Sequence, residues 1–456
     1  MHTIQRGRMK GGVRLVAVGV FVTLIIGCRA ITDTQLPDGV DGPATYNNRE
    51  GATRLTQTTR SDVANTIARY IVSSGLLTDE LGAISPPSAN MGDRDKRSGQ
   101  WIGTPPHGIR SLARLARGVV GKYVPGETAA WQALLFMYEA YAEILIADGW
   151  CSGVPLSTLD FEGDWTYRPG STTDEIYAHA MLLLDSADAR AADSVSLQSA
   201  IRVLKARTQV AMGRYAEARQ TVQSIDGGFQ YTMRIAFDDG TRTEPGYRYH
   251  KFVGSISDHE GINGLPYRSS GDPRTKATPL TYITGATMWF PVKYVTTDSS
   301  TFVLASGIEA KLILAEAAFQ DNDPQQMLTI LNALRTNGTV TVETTPLPDG
   351  AERIDTLWNA GIGGVAGLRP LQLPPTSAEL RQLLFSERAA WLFLTGSRQG
   401  DLRRLVRKYG LDREQAYPTG IYTIPGYTDV YGTDISFSLD AKEFRNPLFT
   451  GCQSDD

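Results

Sequence analysis

A mainly α-helical fold, made of packed helical pairs with long irregular loop insertions and a few short strands, is what the sequence predicts. Three observations predict it. Apolar residues recur at spacings of three and four over several segments, and these segments occur as neighbours joined by short turns. Between them lie stretches rich in Gly, Pro, Thr, Asp and aromatic residues. With 41% hydrophobic and 21% charged residues, the composition is that of a globular protein, which limits disorder to short pieces.

The first elements precede the folded part. Arg6, Arg8, Lys10 and Arg14 are followed from Leu15 to Ile26 by an uncharged, largely apolar run, the layout of a secretory signal peptide. The run is too short for a spanning helix, which needs roughly 20 apolar residues. It ends in Ile25-Ile26-Gly27-Cys28, which resembles a bacterial lipobox. On that reading residues 1–27 are a lipoprotein signal peptide and Cys28 is lipidated. Two or more acyl chains anchor stably where one binds only marginally. The alternative is an ordinary signal peptide with an incidental cysteine. Removing the four cations and no anion moves the formal net charge from -4 to -8, which disfavours nucleic acid as a partner. Residues 28–51, rich in Asp, Gly, Pro, Thr and Asn, read as a flexible tether, and 52–456 as the domain. Cys151 and Cys452 either pair in an oxidising compartment, tying the tail to the domain, or stay as two thiols.

Within the domain, Thr128 to Ala147 carries Trp131, Leu134, Leu135, Tyr138, Tyr141, Ala142 and Leu145 and reads as a largely buried helix. Glu175 to Ala189 follows cap candidates Ser171 to Asp174 and bears an Ile176, Ala180, Leu183, Leu184, Ala187 stripe. Leu197 to Met212 and Arg214 to Ile225 form a pair around Gly213. Small residues at the crossing and Gly at the corner let two helices pack closely, the logic of a tetratricopeptide unit. A second pair runs from Gly307 to Phe319 and from Pro324 to Leu334, joined by Gln320-Asp321-Asn322-Asp323. A last helix, Ser377 to Leu394, stops at Gly396 and restarts through Asp401 to Lys408. The insertions are Ile84 to His107, Asp226 to Ser300 and Thr336 to Pro375, with strand-like pieces at Tyr231 to Ile235 and Thr339 to Val342. Loops of this length in a folded domain are usually functional.

Motifs for catalysis or metal binding do not emerge. None of His107, His179, His250 and His259 has zinc-site spacing. Gly118 to Lys122 is too short for a phosphate loop and is followed by Tyr123 where Ser or Thr is needed. Asp321-Asn322-Asp323 begins like a calcium loop, but the closing position is Asn332, so a helix-helix turn explains it better. No pair of carboxylates is singled out as acid and base.

The most specific segment runs from Glu387 to Arg404: Glu387-Arg388 opens an aromatic stretch, Gly396 breaks it, and Arg398 and Asp401-Leu402-Arg403-Arg404 follow. This is similar to the signature of SusD/RagB proteins. Four further features fit the same family in the same order: the lipobox, the exit Asp148-Gly149-Trp150 to Val154-Pro155-Leu156, the turn Gly271-Asp272-Pro273-Arg274, and the Leu-Ala-Glu-Ala core within Ala310 to Ala317. Thr395 and Gly400 depart from the usual pattern, which has Glu and an aromatic there, marking a divergent member. The alternating charges of Glu387, Arg388, Arg398, Asp401 and Arg403 around the Gly396 break read as ion pairs that set the angle between two helices.

The resemblance implies a SusD-like fold and a non-enzymatic lipoprotein of the outer membrane, held by its lipid alone. It would capture glycan or peptide nutrients as a lid on a TonB-dependent, SusC-like transporter, with no cofactor; the residues single out no metal site, and whether calcium supports a loop stays open. Sugar rings call for flat aromatic faces beside planar hydrogen-bonding groups. Two loops offer them: Asp93 and Arg94 up to Trp101, and Trp289 with Tyr294. The alternative for Trp101 and Trp289 is domain packing, while Trp131 and Trp391 lie on apolar helices and read as core. Rival functions are a tetratricopeptide-like scaffold for protein partners and a surface glycoside hydrolase.

Overall fold

Helix α1, Arg49–Leu77, starts where the Asn48 side chain accepts the Gly51 N–H at 2.8 Å, with Glu50 in the first turn. It opens inside the last residues of the expected tether. The computed structural model describes residues 46–83, 93–95, 106–124, 128–160, 164–192, 194–236, 254–281, 287–291, 299–336, 342–346, 352–356, 368–424, 427–439 and 445–454. Cys28, Trp101 and Tyr294 lie outside them.

Helix α2, Pro106–Tyr123, has proline at its first position and buries Ile109, Ala113, Ala116, Val119 and Val120. The rejected phosphate-loop segment, Gly118 to Lys122, is part of it. Neither α1 nor α2 was anticipated from the sequence. From Val63 to Leu77 almost every position of α1 is buried, so no polar face sets off an apolar stripe.

Among the described residues the other α-helices are α3 Thr128–Gly149, α4 Thr173–Asp188, α5 Val195–Ala211, α6 Tyr215–Val222, α7 Gly307–Gln320, α8 Pro324–Thr336, α9 Ser377–Trp391, α10 Ser397–Arg407 and α11 Arg413–Ala416. Both α4 and α9 begin with a capping box, Thr172 with Glu175 and Thr376 with Glu379. Each helix from α1 to α7 packs against the next, and α7 carries both α8 and α9. That succession is the tetratricopeptide-like arrangement of helical pairs.

The two clearest pairs turn in the same way. Gly213 has φ +79°, its N–H bonds to the Val210 carbonyl, and the Arg214 N–H reaches back to Gln209. Asn322 has φ +58°, with Asn322 N–H on Phe319 and Asp323 N–H on Ala318. These are Schellman ends, in which a left-handed residue satisfies the last carbonyls of a helix. The Asp321-Asn322-Asp323 run is therefore a helix corner.

The strands are β1 Leu81–Ala83, β2 Val154–Pro155, β3 Thr158–Leu159, β4 Trp165–Thr166, β5 Gly170–Ser171, β6 Gln230–Ala236, β7 Gly254–Ile256, β8 Ala277–Thr281, β9 Thr287–Pro291, β10 Ser299–Ser306, β11 Val342–Pro346, β12 Glu352–Thr356, β13 Ile421–Ile424 and β14 Tyr427–Val430. They pair only as two-stranded antiparallel ribbons: β1–β7, β2–β5, β3–β4, β6–β10, β8–β9, β11–β12 and β13–β14. The strand expected at Tyr231 to Ile235 lies in β6, and β11 begins at Val342, where the second expected strand ends. In the longest ribbon Met233 opposes Phe302, and a bulge lies between Val303 and Ala305. Strand β10 runs directly into α7, whose N-cap is Ser306.

The larger core is lined by α1 to α5 and includes Tyr70, Tyr138, Ile201 and Phe302. A second core gathers Leu312, Leu331, Phe385, Trp391, Leu402 and Tyr417 from α7 to α10 and the segment after α11. The tail returns to the body: Cys151 and Cys452 are bonded with Cα atoms 5.7 Å apart. Beside the bond, Ser152 N–H donates to the Ser454 carbonyl at 2.9 Å and Gln453 N–H to Ser152 at 2.7 Å. The bond closes a sequence separation of 301 residues, so it removes much freedom from the unfolded chain. Replacing Cys452 by Ser is expected to lower stability by about 2–4 kcal/mol. A thermal or urea unfolding curve of the variant unchanged from the native protein would show that the tail carries no such constraint.

Candidate functional site

The Glu387 to Arg404 segment forms the corner between α9 and α10. Gly396, at φ +80°, is the N-cap of α10, and a Cβ there would lie 3.1 Å from the Tyr70 ring. A left-handed, tightly packed position of this kind favours glycine. Every signature side chain here is buried. Arg388 makes two bonds of 2.9 Å to Asp401. Arg404 binds Asp401 at 3.0 Å and Glu316 at 2.8 and 2.9 Å. Arg388 also approaches Glu316 at 3.5 Å, closing a ring of two arginines and two carboxylates.

Three further contacts leave the same corner in different directions. Arg398 grips Asp79, just past the end of α1, at 2.7 and 2.8 Å. Glu387 takes two bonds from Arg274, at 2.8 and 3.0 Å, and Arg274 also binds Asp272 at 2.6 Å. Arg403 donates to the carbonyls of Ala147 at 2.9 Å and of Trp150, at the end of α3, where a cation offsets the helix dipole. The three features other than the lipobox, the Asp148 exit, the Asp272-Arg274 turn and Glu316 of the Leu-Ala-Glu-Ala core, thus meet the α9–α10 corner in one network.

Gly400 faces the Asp148 carboxyl, and a Cβ there would lie 2.9 Å from its carbon. Asp148 also accepts the Tyr177 hydroxyl at 2.5 Å. Burial pushes the Asp148 carboxyl up, against the opposing pull of that hydrogen bond. Next to it lies a cavity of about 20 Å³, bordered by Tyr141, Arg207, Glu309, Arg388 and Asp401. It is large enough for one water molecule.

The loop residues singled out for ligand binding are placed differently from that expectation. Asp93 and Arg94 are buried. Arg94 donates to both oxygens of Glu414, at 2.9 and 3.4 Å, and to the carbonyls of Pro418 and Asp434 at 2.5 and 3.1 Å. Burial raises the Glu414 carboxyl, but Arg94 outweighs it and holds the group below the usual carboxylate range. Arg94 therefore locks its loop to the segment after α11. Asp93 accepts the Asp95 N–H at 3.0 Å, an Asx turn. Trp289 is half-buried, packs against the larger core, and has the Arg268 guanidinium 5.2 Å from its ring centre. It holds the β8–β9 ribbon down. Trp101 and Tyr294 fall outside the described residues.

An exposed aromatic pair escaped the sequence analysis. Trp165 in β4 and Tyr167 just after it are 44% and 37% exposed. Their rings are parallel to within 7° with centres 6.2 Å apart. The signal was present as aromatics two apart, which fall on one side of a strand, between Gly163 and Pro169. No helix among the described residues is long and apolar enough to cross a membrane, and no His, Cys, Asp or Glu group among them could hold a metal ion.

Burial raises the Asp401 carboxyl, but Arg388 and Arg404 outweigh it and hold it below its ordinary value. Asp272 is lowered against burial by Arg274 in the same way. A depressed carboxylate contributes stability that is complete above its unfolded value and lost as pH falls through the folded one. The thermal midpoint is expected to fall as the pH drops below about 4. Asp401→Asn is expected to cost about 3–5 kcal/mol at neutral pH, since it leaves buried arginines short of countercharge, and to flatten the acid limb. A variant with the native midpoint and acid profile would contradict this account.

No protein-family model matches the chain, and no curated protein matches its sequence. Solved structures do match. A SusD-like carbohydrate binding protein from Bacteroides vulgatus aligns with TM-score 0.56 at 13% identity, covering 88% of this chain and 97% of its own. B. fragilis NanU aligns with TM-score 0.54 at 12% identity, covering 92% and 100%. A SusD-like protein from Bacteroides fragilis aligns with TM-score 0.52 at 13% identity, covering 91% and 97%.

Proposed function

From the SusD-like fold that this chain has, we propose that it captures nutrients at the surface of an outer membrane, held there by lipid on Cys28. It binds a glycan, or in a second form of the reading a peptide, and works with a TonB-dependent, SusC-like transporter in its import. The observation that carries this is the likeness of nearly the whole chain to SusD-like structures, one of them named as carbohydrate binding. The lipobox Ile25 to Cys28 supports the anchor. A rigid helical scaffold with insertions on it suits a protein that must hold a ligand and dock on a partner. The glycan reading is favoured over the peptide reading by that same neighbour. No carboxylate pair points to a glycosidase, so binding without turnover is the reading we adopt.

The test is a pull-down from detergent-solubilised outer membranes, with the chain tagged near Asp456 and its companions identified by mass. A large β-barrel transporter is expected in stoichiometric amount, and Cys28→Ala is expected to leave the membrane fraction. Recovery of soluble periplasmic proteins alone would favour the scaffold reading. A Cys28→Ala chain that stays membrane-bound would remove the anchor.

A further inference from the structure

The Trp165 and Tyr167 rings sit on the β3–β4 hairpin, whose base is tied to the helical scaffold. Leu159 pairs with Trp165 and Thr158 with Thr166. At the tip, Asp160 accepts the Asp164 N–H on its side chain at 2.8 Å, while its own N–H bonds to the Asp164 carbonyl at 3.1 Å. At the base, Ser157 Oγ accepts the Arg168 N–H at 3.1 Å, and Asn446 donates to Ser157 Oγ at 3.2 Å and to the Arg168 carbonyl at 2.7 Å. Arg110, buried in α2, donates to the carbonyls of Ser157 and Leu156 at 2.6 and 2.8 Å and is itself held by Glu143 of α3 at 2.8 Å. The two rings are thus held out by a chain of hydrogen bonds that ends in the core.

Aromatic rings exposed to this extent on a fixed hairpin are costly to leave in water and cheap to use in binding, because little freedom is lost when a ligand lands on them. Exposed polar groups flank them: Asp160, Asp164, Thr166 and Arg168. Contiguous exposed apolar patches of several hundred Å² mark protein or membrane partners. Two parallel rings on a hairpin that also carries exposed carboxylates, a hydroxyl and a guanidinium along its length instead match a molecule with a flat C–H face and a rim of hydroxyls. A pyranose ring has both: its C–H face meets the electron-rich ring face, and its hydroxyls meet planar acceptors and donors. The two carboxylates outnumber the one guanidinium on a chain of net negative charge, so an anionic sugar is repelled.

We infer that Trp165 and Tyr167 form a binding platform for a neutral pyranose glycan, with Asp160 and Asp164 selecting against uronates and sulfated sugars. This rests on the glycan reading above and names the ligand class and its place. Asp160 and Asp164 act as specificity-determining residues, and Arg110 and Asn446 as positioning residues.

The experiment uses the mature chain on an array of neutral hexose and pentose oligosaccharides beside uronate-containing and sulfated ones, followed by calorimetric titration of the best neutral binder. Trp165→Ala/Tyr167→Ala is expected to weaken that binder tenfold or more with the thermal midpoint unchanged, and Trp165→Phe to retain most of the affinity. Asp160→Asn/Asp164→Asn, which keeps the turn acceptor, is expected to narrow the preference for neutral over acidic glycans. A neutral glycan bound equally well by the double alanine variant would overturn the platform and leave the glycan reading standing. Stronger binding of acidic glycans by the native chain would overturn the ligand class. Binding of no glycan at all by the native chain would overturn the glycan reading itself, and the platform with it.

Discussion

The ring of Arg388, Asp401, Arg404 and Glu316 is the constraint on which the rest of the structure depends. Removing such groups from water costs several kcal/mol for each ion, and the pairs win this back only with near-ideal geometry. Their value therefore lies less in net stability than in selectivity. Any other docking of the α9–α10 corner on α7 would bury a charge without its partner. Through Arg398 to Asp79, Glu387 to Arg274 and Arg403 to the end of α3, the corner sets where α1, α3 and the β8 turn begin or end.

Because the helices are fixed in this way, the insertions between them need not form a sheet of their own. Where they are described they form short ribbons, and several segments are fastened to the scaffold by a few strong bonds. Arg94 fastens one loop through Glu414, Arg110 fastens the β3–β4 hairpin, and the Cys151–Cys452 bond fastens the tail. A buried arginine suits this task, since its planar fork reaches several carbonyls and a carboxylate at once. Loops held in this manner can present side chains with little entropic loss.

The helices that were legible in the sequence are those with one apolar face, such as α4 and α5, or with a capped and glycine-ended corner. Helix α1 was not, because its second half is buried all round and its first half is rich in Thr and Arg. The loop candidates show the same limit for side chains. Arg94 and Trp289 have the residue types of a sugar site, yet Glu414, Pro418 and Asp434, more than three hundred positions away, take up Arg94. Trp165 and Tyr167 have the same types and remain open because nothing folds over them among the described residues.

What the sequence determined by itself was local or periodic: the helical class, the paired helices around Gly213 and Asn322, and the Glu387 to Arg404 segment with its charge alternation. The tertiary structure alone decided which carboxylate each arginine meets, that Cys151 and Cys452 join, and which aromatics stay in water. Those outcomes depend on contacts between residues far apart in the chain, and a side chain's type says what it can bond to but not what the fold brings within reach.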